Sequence, residues 1–291
     1  MTEAALAFPK INTALELRLL AKRSVASWES HIVGTPKTGP VHRPVWVHRD
    51  ERAPVKCEIV EPVGDGPFPV MLFVHGGGWV MGDLDSHHQV VLRFAEQGFV
   101  VVALEYALAP EEPFPAGYDD VVDTGHWIQE NISKYEGDAS RLVIVGDSAG
   151  ANIAAGVAVN QPELSIRAAG LVYGVYDFAA LPFTPAFHGE DYIQNMREAY
   201  LGKGNMHLLK DSRVSPILAA EKLPPTVVAV GTADPLHETS SEFVDRLNEL
   251  GITNEYLVLE GHQHGFMHME DMPGALEGIR DIAKFLLAHS A

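Results

Sequence analysis

Three side chains of this sequence stand where they could form a proton relay around a nucleophile, and the first is Ser148. It occupies the centre of Gly146-Asp147-Ser148-Ala149-Gly150, between the apolar run Leu142 to Val145 and the small-residue run Ala151 to Val157. A strand that turns sharply into a helix strains its central residue and presses backbones together, so both flanks need residues without bulk. The hydroxyl is then lifted clear of the sheet at the amide-rich end of the next helix, where developing negative charge is stabilised. An alcohol is a weak nucleophile and requires a base, which an acid must in turn orient. With a nucleophile on such a turn, the acid follows in the chain and the histidine comes last. Downstream, Val227 to Val230 ends in Gly231-Thr232-Ala233-Asp234-Pro235-Leu236, and Leu257-Val258-Leu259 leads into Glu260-Gly261-His262-Gln263-His264-Gly265-Phe266. Asp234 and His264 are the expected acid and base, each just past a strand end. Asp234 also reads as an ordinary turn aspartate before proline, and His262 is the alternative base. His264 is preferred because Gly265 lets the loop turn and Phe266 can anchor it in the core.

The apolar run Val70 to Val74 ends in His75-Gly76-Gly77-Gly78-Trp79. Consecutive glycines build little core but leave amides uncovered, which suits a loop that donates N–H groups to an oxyanion in acyl transfer; the plainer reading is a flexible turn. The amides of Gly77, Gly78 and Ala149 are the expected donors. His262, His264 and His268 crowd one loop, yet no acidic or cysteine ligand set accompanies them, so no metal is expected there. Neither a GxxxxGK[ST] loop nor a GxGxxG turn follows a strand, which removes a nucleotide cradle.

Taken together, these motifs resemble the hormone-sensitive-lipase-like branch of the α/β-hydrolases, the bacterial family IV esterases and their relatives. The resemblance rests on His75 to Trp79, on Tyr106-Ala107-Leu108-Ala109-Pro110-Glu111 with Phe114-Pro115-Ala116, on Gly146 to Gly150, on Asp234-Pro235-Leu236 and on His264-Gly265-Phe266. It implies an α/β-hydrolase fold: a mostly parallel central sheet with helices on both faces and a helical cap. It also implies a serine carboxylic ester hydrolase for short to medium acyl-chain or aryl esters, working through an acyl-enzyme without a cofactor. Trp79 and Asp147 are expected beside the substrate. An amidase, lactonase or deacetylase would use the same triad, and some proteins of this kind are small-molecule receptors; those typically lack the histidine that His264 supplies here. Relatives often pair, so a homodimer is expected. Two departures are visible: Glu238-Thr239 where many relatives carry an Asp-Glu pair, and Tyr173-Gly174-Val175-Tyr176-Asp177 without the proline often found after that strand.

At 291 residues the chain suits one α/β unit with a sizeable core. Lys plus Arg number 21 against 39 Asp plus Glu, a formal charge of −18, which opposes nucleic acid and anionic membrane surfaces as partners. The single cysteine, Cys57, excludes an internal disulfide and suits a reducing compartment. No apolar run is long enough for a signal peptide or a membrane span, so a cytoplasmic location is expected.

Strand-length apolar runs at Val55 to Val60, Val70 to Val74, Phe99 to Leu104, Leu142 to Val145, Ala168 to Tyr173, Val227 to Val230 and Tyr256 to Leu259 alternate with helical patterns. The helices are expected at Ser86 to Gln97, Gly117 to Ser133, Ala149 to Asn160, Ser240 to Leu250 and Gly274 to His289. Such alternation predicts a parallel sheet covered on both faces. Two segments break it. Residues 1–47 carry Ile11, Leu15 and Leu19 at helical spacing, and about 178–214 inserts helix-like sequence between two strands of the catalytic domain, 48–291. Both are expected to form a cap over Ser148, with Leu15, Leu19, Phe183, Phe187, Tyr192 and Met196 lining an apolar pocket. The alternative for the first segment is a packing arm.

Overall fold

The computed structural model describes residues 28–50, 52–181 and 190–291, the side chains of 190–193 excepted. Its strands are β1 (Val41–Val47), β2 (Val55–Val60), β3 (Phe68–Val74), β4 (Val100–Glu105), β5 (Gly137–Asp147), β6 (Ala168–Val172), β7 (Thr226–Gly231) and β8 (Asn254–Leu259). They form one sheet in the order β1-β2-β4-β3-β5-β6-β7-β8. The β1–β2 and β2–β4 pairs are antiparallel and every later pair is parallel.

Successive side chains of a strand point to opposite faces, and in a parallel sheet both faces are covered, so the strands read as unbroken apolar runs. In β3, Val70, Leu72 and Val74 pack into one core cluster and Met71 and Phe73 into the other. Helices α2 (Ala116–Asn131), α3 (Ala149–Asn160) and α5 (His237–Glu249) supply Val121, Ala154 and Phe243 to the first cluster. On the opposite face α1 (Leu84–Glu96) and α6 (Ala275–His289) contribute Phe94 and Ile282. A further helix, α4 (Glu190–Leu201), lies in the insertion between β6 and β7. At the start of α1, the Asp83 carboxylate accepts from Ser86 N at 2.8 Å and Ser86 Oγ accepts from Asp83 N at 3.0 Å, a reciprocal cap that fixes where the helix begins.

Strand β1 differs from expectation. Val41–Val47 falls in the segment expected to form the N-terminal cap, yet it pairs along β2 at the sheet edge. Its residues are exposed or half-buried up to Val47, Pro44 interrupts the ladder, and the register shifts between His42 and Val45. An edge strand with proline and a bulge lacks the apolar run that identifies its neighbours.

Candidate active site

The turn from β5 into α3 places Ser148 in a backbone conformation that side chains rarely adopt, φ 54° and ψ −119°. The flanking glycines explain how the chain tolerates it. A Cβ on Gly150 would lie 2.0 Å from Val74 O, and one on Gly146 would lie 2.4 Å from Gly150 O. Both are backbone clashes, so each replacement would have to move the turn. Ser148 N donates to Val172 O at 2.8 Å, tying the turn to β6.

Asp234 follows β7 and His264 follows β8, and the two loops are pressed together. Ala233 N donates to His262 O at 3.0 Å and Gly261 N to Thr232 Oγ1 at 2.8 Å. Within this bracket His264 Nδ1 donates to the Asp234 carboxylate, 2.9 Å from Oδ2 and 3.1 Å from Oδ1. Its Nε2 lies 3.0 Å from Ser148 Oγ. The Asp234 side chain is 0% exposed and that of His264 is 30% exposed, so the acid is shielded while the imidazole meets the solvent side. Gly265 turns at φ 83° and Phe266 is buried against Tyr173, which anchors the loop. His262, the alternative base, points away: its Nε2 contacts Pro273 O at 2.9 Å.

The glycine loop after β3 approaches from the other side. Gly77 has φ 129°, and a Cβ there would sit 2.1 Å from Met81 O. Its carbonyl accepts from Val80 N and Met81 N, whereas the amides of Gly77 and Gly78 find no acceptor among the described residues. Both glycines border the cavity. Ala149 opens α3, where the amides have no partner within the helix.

Asp147 joins this loop to the nucleophile turn, because Gly76 N donates to its Oδ1 at 2.8 Å and Tyr173 OH to its Oδ2 at 3.4 Å. Burial would raise this carboxyl, but neighbouring His87, His268 and the Gly76 amide outweigh it and hold it down to about 2. Asp147 is 3% exposed and borders the cavity from below, with its oxygens engaged by protein donors.

A cavity of about 780 Å³ opens over Ser148 and His264, walled by Trp28, Met81, Leu108 and Met196 among others. Met196 of α4 is the one expected cap residue whose side chain the structure places there; its Cε would be 3.3 Å from a Cβ on Gly78. Leu15, Leu19, Phe183 and Phe187 lie outside the described residues, and of Tyr192 only the backbone in α4 is described. Trp79 requires correction. It does not border the cavity but is 2% exposed, donates from Nε1 to Asn152 Oδ1 at 3.2 Å and stacks on Tyr200 with ring centroids 4.9 Å apart. It braces the glycine loop between α3 and α4, since a buried indole goes where its N–H finds an acceptor. Sequence reasoning missed Trp28 and His87 at the cavity wall, and considered His268 only as a neighbour of His262 and His264. No local pattern marks them, because each is brought there by a partner distant in the chain.

Comparison with known proteins identifies the fold and its family. A family model described as the alpha/beta hydrolase fold matches residues 71–268. The chain is 31% identical over 231 residues to an ethyl acetate hydrolase of Pseudomonas putida, covering 75% of this chain and 73% of that one. It is 30% identical over 220 residues to the carboxylesterase NlhH of Mycobacterium tuberculosis, covering 71% and 69%. Among solved structures, an ester-hydrolase from the metagenome of Lake Arreo superposes with a TM-score of 0.83 at 27% identity, over 94% of this chain and 90% of the other. An esterase of Pyrobaculum calidifontis shares the fold, with a TM-score of 0.85 at 23% identity over 97% and 95%. The chain therefore belongs to the family of the alpha/beta hydrolase fold, within its hormone-sensitive-lipase-like branch of carboxylic ester hydrolases.

Proposed function

We propose that the protein hydrolyses short to medium acyl-chain or aryl esters through an acyl-enzyme on Ser148. The observation that carries this is the unbroken line from the Asp234 carboxylate through His264 to Ser148 Oγ, at 2.9 and 3.0 Å. In the first half-reaction His264 Nε2 takes the hydroxyl proton as Oγ attacks the ester carbonyl. The amides of Gly77, Gly78 and Ala149 stabilise the oxyanion, and the imidazolium then protonates the departing alcohol. Water repeats the sequence on the acyl-enzyme. Asp234 keeps the proton on Nδ1, so that Nε2 faces Ser148 with its lone pair.

A cap over this site belongs to the same proposal, formed by the segment before β1 and by the insertion around α4. What supports it is that Trp28 and Met196, one from each, wall the cavity. The first is also tied to the loop beyond His264, with Val33 N donating to Glu270 Oε2 and His31 Nδ1 to Asp271 Oδ1, both at 2.8 Å. The apolar wall favours uncharged acyl groups. A cytoplasmic location is supported by Cys57, whose thiol burial pushes up to about 12 and which forms no disulfide. Among the described residues no helix is long and apolar enough to cross a membrane. A homodimer remains part of the proposal, to be read from sedimentation.

A panel of p-nitrophenyl esters of increasing acyl length, run beside p-nitroanilides, tests the reading. Ester turnover that declines with chain length is expected, together with a loss of about 10⁴-fold or more in Ser148→Ala. Faster anilide than ester cleavage would move the protein to the amidases, and undiminished turnover by the alanine variant would remove Ser148 as nucleophile.

A further inference from the structure

Beside the triad, beneath Trp28, three side chains converge that the mechanism above does not employ as a unit: His87 of α1, Asp147 of the nucleophile turn and His268 beyond the catalytic loop. One ligand atom from each lies within 4.8 Å of the others, and all three residues are buried. His87 Nε2 and Asp147 Oδ1 are 3.3 Å apart. Despite that distance, Nε2 of the 4% exposed His87 has no hydrogen-bond partner among the described residues, the carboxylate oxygen lying outside hydrogen-bonding geometry.

The hydrogen bonds around His87 say which nitrogen carries its proton. The Ser86 hydroxyl has one hydrogen and donates it to Asp83 O at 2.7 Å, the shorter of its contacts, so at 2.9 Å it accepts from His87 Nδ1. In the neutral ring Nε2 is then bare, and a lone pair faces a carboxylate. Two electron-rich atoms that approach without aiming at each other are held by a cation between them, either a proton or a metal ion. A tetrahedral zinc ion with bonds of about 2.1 Å sets its ligand atoms about 3.4 Å apart, each aimed at the ion and not at its neighbour.

We propose that His87 Nε2, Asp147 Oδ1 and a ring nitrogen of His268 form a site for a divalent transition-metal ion of zinc type, whose occupation slows ester hydrolysis. The donor set is two imidazoles and one carboxylate, which leaves a fourth position for water on the cavity side. Trp28 stacks on His268 at 3.9 Å with the planes 12° apart and holds the ring in place. The cavity, which Trp28, His87, Asp147 and His268 all border, supplies the path of entry.

The effect on turnover rests on the proposed role of the triad. The tetrahedral stage requires positive charge on His264, which already interacts electrostatically with His268. A dication on His268 opposes that charge. It also competes for Asp147 Oδ1, the acceptor that holds Gly76 N at 2.8 Å and with it the glycine loop.

Binding and turnover are measured separately on the full chain after chelation. Cobalt(II) added alone should give the intense visible bands of a four-coordinate ion, and zinc titrated against it should displace it stoichiometrically. His87→Asn and His268→Gln should each weaken zinc by about tenfold or more. Inhibition by zinc, expressed against each variant's own metal-free rate, should disappear in parallel. His268→Phe keeps the stack on Trp28 without a ligand nitrogen and should behave like His268→Gln. His31→Gln removes the exposed pair with Asp271 and should leave zinc affinity unchanged. The site is overturned if the parent shows no four-coordinate cobalt spectrum, or if binding persists undiminished in the His87 and His268 variants. A protein that binds cobalt as described but cleaves no ester would refute the proposed function and leave the metal site standing.

Discussion

His264 and His268 lie on the same loop and meet opposite surroundings. The first has a carboxylate on one nitrogen, a hydroxyl on the other and a side chain 30% exposed. The second is 7% exposed, stacked under Trp28 and crowded by His87, and burial drives its protonation down to about 3. His75, 2% exposed beneath the glycine loop, is likewise pushed down to about 4, chiefly by burial. What separates an imidazole able to hold a proton during turnover from one that stays neutral is the counter-charge and the access to water that neighbouring loops provide.

The sharpest way to break this contrast is to remove the counter-charge from His264. Asp234→Asn leaves a side chain of the same shape but favours the wrong tautomer, and should lower kcat by about 10⁴-fold with little change in secondary structure by circular dichroism. A drop of only a few-fold would mean that another group orients His264.

Next in size is the link between the two regions. Asp147→Asn puts an amide where Gly76 N, Tyr173 OH and His87 meet one ionised carboxylate. The glycine loop should loosen, so steady-state kinetics should show kcat falling roughly 10- to 100-fold, less than the loss of an oxyanion donor outright, with KM nearly constant. Equal changes in both constants would argue for altered substrate binding in place of altered loop position.

The smallest effect concerns the buried histidines themselves. Both ordinarily titrate near 6.5 and are held lower in the fold. Below that value the unfolded chain binds protons that the folded chain refuses, so stability is greatest above pH 6.5 and declines as pH falls. Each histidine should contribute a loss of up to about 2 kcal/mol at pH 5. Asp147 acts in the same sense in a lower window, since its depressed value stabilises the fold above its ordinary 3.8 and that gain is lost as pH falls towards 2, below the range compared here. Urea midpoints at pH 7 and pH 5 measure the difference, and equal midpoints would show that the two rings protonate freely in the folded protein.

The nucleophile turn and its partners were legible in the sequence because their constraint is local. Gly146 and Gly150 are small where backbones touch, and Asp234 and His264 stand immediately past apolar runs. The inner strands were legible for the same reason, being apolar without interruption. The β1 strand was not, since Pro44 and its half-exposed neighbours give no pattern that separates an edge from a loop. Nor was the position of Trp79, which reads as a wall beside a glycine loop until the acceptor on Asn152 draws its indole inward. Nor was the convergence of His268 with Asp147 and His87, because the first follows β8, the second ends β5 and the third lies on α1. Chemistry assembled from separate elements leaves no spacing to recognise.

Ten of the twelve residues of α3 are buried, and it is sheathed by β5, α2 and the insertion that carries α4. A helix so enclosed exchanges its amide hydrogens only when the surrounding sheet opens as a whole, while rim loops and edge strands fluctuate at far lower free energy. Breathing at the cavity mouth, or remodelling of its walls in evolution, can therefore alter which molecules enter without disturbing the alcohol that waits at the bottom.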